Sequence, residues 1–291
     1  MKPTIALIGP GRVGSAVAKK LYAAGYRLTT VVSRSHQRAI EACQFIGCSS
    51  DLATDQFSSA TSAEVLLLAV PDDQIQSVAE QIQSNCDPKK PRSLIHFSGL
   101  QPASIMQNSN IPATLLSLHP LLPFATRENG HNSLDQCPCA IESNTPQGIL
   151  LGEELATAMG GIPFTVAANK KALYHAAACI SSNYLVTLIA MARDLFILCG
   201  IEKEHATPLL LPLMRATFTN VAEFGVEQGL TGPIVRGDIG TVKKHLQQLE
   251  KETPELLEIY RTLGIQTALI GEESQRLSPE QATRIKDILV K

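Results

Sequence analysis

Two hydrophobic textures divide the chain near Ala168. From Thr4 to about Ala167, short apolar runs alternate with stretches of helical periodicity, the pattern of an open α/β sheet. The runs predict strands over 4–8, 28–33, 64–70, 93–97, 114–117, 139–142 and 163–167, with helices over 13–24, 37–46, 73–84 and 147–159. After Asn169 the strand signals vanish. Helices are expected over 171–199, 202–228, 240–251, 255–270 and 280–290, separated by Gly200, the segment 229–237, Pro254 and Pro279. Two domains follow, an α/β domain over 1–167 and an all-α domain over 168–291, with no internal repeat.

Composition narrows the function classes. The 291 residues are 44% hydrophobic and 18% charged, with a formal net charge of −2, so the chain can bury a core. A near-neutral chain without Trp has no basic, aromatic footprint, and nucleic acid is not an expected partner. Seven Cys without a C-x-x-C pair fit a reduced, cytoplasmic compartment. The start runs directly into an apolar strand, and no signal peptide is expected. Ala172 to Ala192 carries no Lys, Arg, Asp or Glu but includes His175, Ser181, Ser182, Asn183 and Thr187. It reads as a buried helix of a soluble domain rather than a membrane span.

The first chemical motif is Gly9-Pro10-Gly11-Arg12-Val13-Gly14, a G-x-G-x-x-G turn between the apolar strand Ile5-Ala6-Leu7-Ile8 and an Ala-rich helix. In that context the first glycine permits the turn and the second admits a pyrophosphate. The third lets helix and strand pack closely, and the helix N-terminus offers N–H groups to the anion. Dinucleotide domains selective for NAD place a carboxylate at the end of the second strand. Here that position reads Ser33-Arg34-Ser35. A guanidinium flanked by hydroxyls suits a 2′-phosphate, so NADP (NADPH) is the expected cofactor, the alternative being a solvated Arg.

Later strand ends should line the same crevice. Ala69-Val70-Pro71 would pass beneath the ribose, with Asp72 or Asp73 capping the next helix. Ser98-Gly99 could orient a substrate carboxylate or carbonyl, or form a plain turn. His119, at a strand end before Pro120, points toward the crevice, whereas His96 reads as a core histidine. Cys137, Cys139 and Ile141 share one strand face as core residues, and no metal site is expected. On the helix that follows, a regular period places Lys171, His175 and Ser182 on one stripe, with Asn183 at its edge. Such a cluster is either a site or a hydrogen-bond network between helices. Arg236, between two glycine-containing turns, could clamp an anionic group, and Asp238 is a candidate helix cap.

The order of these features resembles a family of NADP oxidoreductases in which a Rossmann-like domain precedes a domain of unknown function, number 2520. The resemblance rests on the glycine turn, Phe97-Ser98-Gly99, His119-Pro120, Tyr174-His175-Ala176-Ala177 with Ser182-Asn183, and Gly232-Pro233 with Arg236-Gly237-Asp238. More distantly the chain is similar to pyrroline-5-carboxylate reductase and to the 6-phosphogluconate and 3-hydroxyisobutyrate dehydrogenases. The resemblance implies a Rossmann NADP-binding domain followed by an all-α, 6-phosphogluconate-dehydrogenase-like C-terminal domain, a homodimer through the helical domains, and a site between domains. It also implies hydride transfer between nicotinamide and a small carbonyl, hydroxy acid or imine. His175 or Lys171 would supply the proton, with Asn183 and Ser98 orienting the substrate. Gly99, His119, Ser182 and Arg236 would help to bind it. The hydroxyacid dehydrogenases carry Asn four residues after their helix Lys, whereas Lys171 is followed at that offset by His175. An oxidative decarboxylase like prephenate dehydrogenase, recognised by CO₂ release, and a non-catalytic NADP(H) sensor are the alternatives.

Overall fold

The computed structural model describes residues 1–85, 92–108 and 113–290. Two compact units divide these residues, Met1–Asn183 and Tyr184–Lys291.

The first unit is built on one eight-stranded sheet. Its strands are β1 (Ile5–Ile8), β2 (Leu28–Val32), β3 (Ala53–Thr54), β4 (Val65–Leu68), β5 (Arg92–His96), β6 (Ala113–Pro120), β7 (Pro138–Ser143) and β8 (Ile162–Thr165), in the order β3-β2-β1-β4-β5-β6-β7-β8. The first six are mutually parallel and follow the doubly wound dinucleotide order; β7 runs antiparallel to β6, and β8 parallel to β7. Helices α1 (Arg12–Ala23), α2 (His36–Ile46), α3 (Ile75–Ser84), α4 (Arg127–Ser133) and α5 (Pro146–Ala158) connect them. Covered on both faces, the central strands are apolar at successive positions. Ile5 and Leu7 join one core cluster, and Ala6 and Ile8 join the other. The crevice expected for a ligand lies where the order reverses, between the ends of β1 and β4.

Four sequence expectations change here. The two-residue strand β3 and the polar helix α4 carried no periodic signal and were not expected. Strand β6 continues through His119 to Pro120 because β7 pairs with it, His119 opposite Ala140, so His119 lies within a strand rather than at its end. Neither Asp72 nor Asp73 caps α3. A 3₁₀ turn over Asp72–Gln74 precedes that helix, and Asp72 Oδ2 instead accepts the Ser98 hydroxyl at 2.6 Å.

Helix α6 (Lys171–Cys179) is grouped with the sheet unit, because Lys171 reaches into it, and a π-helical turn over Ile180–Tyr184 follows. The division between units therefore falls at 183/184, beyond the composition change at Ala168.

The second unit is helical: α7 (Leu185–Leu198), α8 (Lys203–Gly229), α9 (Ile239–Glu252), α10 (Pro254–Glu273) and α11 (Pro279–Val290). Its core is Ile234, Val242, Leu246, Ala268, Leu277, Ala282, Ile285 and Leu289, contributed mainly by α9–α11. Asp238 caps α9 as expected, accepting the Thr241 N–H at 3.0 Å. Helix α8 contains Pro208 and Pro212 and is kinked at Gly225. The expectation of a buried apolar helix is corrected. Ala168–Leu198 is apolar, with mean hydropathy 1.3 in its strongest window, yet none of that window is buried within the chain.

Candidate functional site

The turn after β1 is shaped by close approach. Gly9 has φ +82°, and a Cβ there would sit 2.6 Å from the Ala69 carbonyl oxygen. A Cβ on Gly14 would meet the Ala69 methyl at the same distance, whereas one on Gly11 would project into open space. Gly9 and Gly14 are thus demanded by the fold itself; Gly11 leaves room for something else. Gly11 starts α1 with no side-chain cap, and the first turn has no acidic residue, so its N–H groups remain available to an anion.

A cavity of about 650 Å³ opens over this turn. Its walls include Gly9, Pro10 and Gly11 from the turn, Ser33, Arg34 and Ser35 from the end of β2, and Ala69, Val70 and Pro71 from the end of β4. Ser35 caps α2 by accepting the Arg38 N–H, and Ser33 Oγ accepts the Ser35 N–H, which leaves both hydroxyl protons to donate. Arg38 and Arg127 also line the cavity. Neither was singled out from sequence, although Arg38 follows Arg34 by only four residues. Arg12 and Val13, expected at the cofactor, are not on the lining. Arg12 is exposed, with Nη1 3.5 Å from the Phe124 carbonyl, and Val13 packs on the core. Three guanidiniums, two hydroxyls, an uncapped helix start and the space above Gly11 fit a dinucleotide carrying a 2′-phosphate.

Beside the crevice the fold gathers polar side chains that were scattered along the sequence. Of the nine buried polar or charged residues described, His96, Ser98, Ser117, Glu142 and Lys171 form one cluster at the ends of β5–β7. Lys171 is 2% exposed and donates to the Ser98 carbonyl at 3.1 Å and to Ser117 Oγ at 2.5 Å. Burial lowers its pKa to about 8, against the opposing charges of Glu142 and Asp72. Glu142 accepts the Ala103 N–H at 2.6 Å. His96 is buried as expected, its Nδ1 accepting the Ser98 N–H, and burial depresses its pKa to about 3. Ser98, expected either to orient a substrate or to form a turn, is a hub of local hydrogen bonds. Its hydroxyl donates to Asp72 and accepts the N–H groups of Leu100 and Gln101, which uses its proton and both lone pairs.

Over this cluster lie three aromatic side chains. His119 Nδ1 is 2.7 Å from the Tyr174 hydroxyl, and the His119 ring meets those of Tyr174 and His175 edge to face. Burial, then the Lys171 charge, then His175 hold the His119 pKa near about 4, so its ring is neutral at physiological pH. Burial raises the Tyr174 phenol to about 12. His175 Nε2 is 3.8 Å from Cys179 Sγ, and Nδ1 is buried with no hydrogen-bond partner. The expected stripe is only partly assembled. Lys171 and His175 share one region, but the π turn at Ile180 breaks the 3.6-residue register before Ser182 and Asn183, and Asn183 is exposed. Arg236 is an exposed residue of the second unit. Among the described residues no group of three His, Cys, Asp or Glu is arranged to hold a metal.

Gly99 is the floor on which the two imidazoles rest. A Cβ there would lie 2.9 Å from His175 Nδ1 and 3.0 Å from His119 Nε2. Gly99→Ala is therefore expected to displace both rings and destabilise the fold by about 1–3 kcal/mol, the usual cost of overpacking. Thermal denaturation measures it; an unchanged midpoint would show that the rings yield freely.

Residues 4–95 match the family model described as NADP oxidoreductase coenzyme F420-dependent, and residues 137–267 match the domain of unknown function DUF2520. The two models match in the order that the sequence motifs led one to expect. Similar solved structures include protein TM1727 from Thermotoga maritima, at 25% identity and TM-score 0.74, covering 94% of this chain and 100% of that one. Another is BF3122 from Bacteroides fragilis, a proposed NADP oxidoreductase, at 20% identity and TM-score 0.72, with coverage of 91% and 98%. The pyrroline carboxylate reductase of Plasmodium falciparum, solved with NADP bound, shares the fold at 15% identity and TM-score 0.59, with 98% of each chain covered. No curated protein matches the chain.

Proposed function

We propose that this protein is an NADP(H)-dependent oxidoreductase acting on a small carbonyl, hydroxy-acid or imine substrate. The observation that carries the reading is the cavity over the glycine turn, with Arg34 and Arg38 where an NAD-selective domain would hold a carboxylate. When bound, NADPH supplies the hydride. The chain supplies position, charge and a proton. The N–H groups at the start of α1 receive the pyrophosphate, and Arg34, Arg38, Ser33 and Ser35 receive the 2′-phosphate. Lys171 holds the Ser98–Gly99 peptide by its carbonyl and fixes the floor beneath the imidazoles. His175 is the group assigned to proton transfer. Its ring is oriented by Gly99 and Cys179, and its Nδ1 has no competing partner. His119, neutral and tied to Tyr174, presents its Nε2 side to the same space as a hydrogen-bonding group. Ser182 and Asn183, within the π turn, and Arg236, in the second unit, are not needed for the reading.

The cofactor assignment has a direct test. NADPH is expected to bind more tightly than NADH by about 1–3 kcal/mol, the worth of hydrogen bonds to a charged group, and Arg34→Ala to abolish most of that preference. Isothermal calorimetry of the two proteins with the two cofactors decides it. Equal affinities in the unaltered protein would overturn NADP selectivity. Loss of reduced-nicotinamide absorbance across a panel of 2-oxo acids, aldehydes and cyclic imines tests the chemistry.

The helical region is further proposed to form a homodimer. Leu209, Leu213, Phe218 and Phe224 on α8, and Ile180, Tyr184 and Val186 before and within α7, are all exposed in the single chain. They are interspersed with Asn183, Thr187, Arg193, Asp194, Arg215, Thr217 and Asn220. A lipid phase would place charged groups such as Arg193, Asp194 and Arg215 in hydrocarbon, whereas the surface of a second copy tolerates them.

A further inference from the structure

The region between β6 and β7 contributes a cation to the dinucleotide turn, although it lies far from that turn in sequence. Arg127, at the start of α4, donates from Nη2 to the Pro10 carbonyl at 3.2 Å and lines the cavity together with Gly9, Pro10 and Gly11. Its position is fixed by the packing of α4 on α1. Phe124 packs against the main core, and a Cβ on Gly130 would meet its ring at 2.2 Å. Asp135, just beyond α4, pairs with Lys20 of α1 at 2.7 Å. The link is reciprocal, since Arg12 of α1 reaches the Phe124 carbonyl. Held this way, the half-buried guanidinium forms no ion pair among the described residues, and its neighbour Glu128 is exposed. Glu41 of α2 also lines the cavity, but it forms no ion pair with Arg127, and an unpaired cation brought to an uncapped helix start is a place for an anion.

We propose that Arg127 binds the pyrophosphate of the dinucleotide, the part common to NADP and NAD. Arg34 and Arg38, from the end of β2 and the first turn of α2, read the 2′-phosphate. The inference rests on the proposed function, but the two make separable predictions. A pyrophosphate ligand changes affinity without changing cofactor preference; a 2′-phosphate ligand changes preference.

The experiment is calorimetry with three probes: NADPH, NADH and adenosine 2′-monophosphate, which carries the 2′-phosphate and no pyrophosphate. Arg127→Ala is expected to weaken NADPH and NADH by the same factor, on the order of 10- to 100-fold, and to leave adenosine 2′-monophosphate unchanged. Arg127→Lys, which keeps the charge but loses the fork, should fall between. Arg34→Ala should show the opposite pattern, weakening NADPH and adenosine 2′-monophosphate but not NADH. The melting temperature of the unliganded variants separates binding from folding. If Arg127→Ala binds both dinucleotides like the unaltered protein, or loses adenosine 2′-monophosphate in step with them, the assignment is overturned. If the unaltered protein binds neither dinucleotide, the cofactor reading falls and this inference with it.

Discussion

His175→Ala is expected to lower turnover by about 10²–10⁴-fold, the usual worth of a positioned acid–base group. NADPH affinity should barely change, because the cavity that receives the nucleotide does not include His175. The expectation follows from what surrounds the ring. Nδ1 is buried and unpartnered, Nε2 faces the Cys179 thiol, and His119 stands edge-on across Gly99. A histidine kept merely for packing would gain nothing from an unpaired nitrogen, which costs free energy. Lys171 provides the contrast. Lys171→Met removes the cation that helps depress the His119 pKa, so that pKa should rise from about 4 toward its ordinary value and move the pH profile of turnover with it. The steady-state assay is run on the substrate found by the panel, with melting temperature measured on the same variants. A His175→Ala enzyme with full turnover and unchanged stability would reduce the cluster to structural hydrogen bonding.

The second large effect concerns assembly. The unaltered protein is expected to be a dimer at micromolar concentration, with a total interface above about 2,000 Å². Leu213 and Phe218 are 67% and 56% exposed in the single chain, and each would gain about 1.5–3 kcal/mol on full burial. Replacing both by Glu places unpaired carboxylates on α8. Since each 1.4 kcal/mol is about tenfold, association should weaken by more than about a thousandfold. Light scattering reports the mass directly. An unaltered protein that is monomeric, or a double variant that remains dimeric, would show that another surface or another partner covers α7 and α8.

How far these features could be read from sequence depends on how local their causes are. The central strands announced themselves because burial on both faces makes residues such as Leu66, Leu67 and Leu68 apolar in succession. The glycine turn and Arg34 were legible because one short segment carries the whole motif. Helix α4 was not, since Arg-Glu-Asn-Gly-His-Asn-Ser has no apolar period and is held by packing on α1. With it went Arg127. Ser117 and Glu142 were not assigned to the polar cluster because strand pairing brings them together, and Tyr174 and Asp72 because only the docking of α6 and of the turn after β4 brings them to it. The π turn defeated the arithmetic that set Ser182 beside His175. One residue more per turn rotates everything beyond it by about 100°, and no residue type signals it.

Strand β8 has a consequence for behaviour in a crowded solution. It ends the sheet, and Ile162 and Phe164 on it remain substantially exposed, a combination that invites strands from other chains to add on. The N–H groups of Ile162 and Val166 point inward to β7, bonding to the carbonyls of Cys137 and Ile141, so the intervening odd-numbered positions face outward. Pro163 occupies one of them. Its missing N–H removes a donor from the open edge without weakening the ladder within the sheet. The edge is thereby made a poor template for aggregation while its apolar side chains stay in place, Phe164 among them, whose ring packs against that of Tyr174.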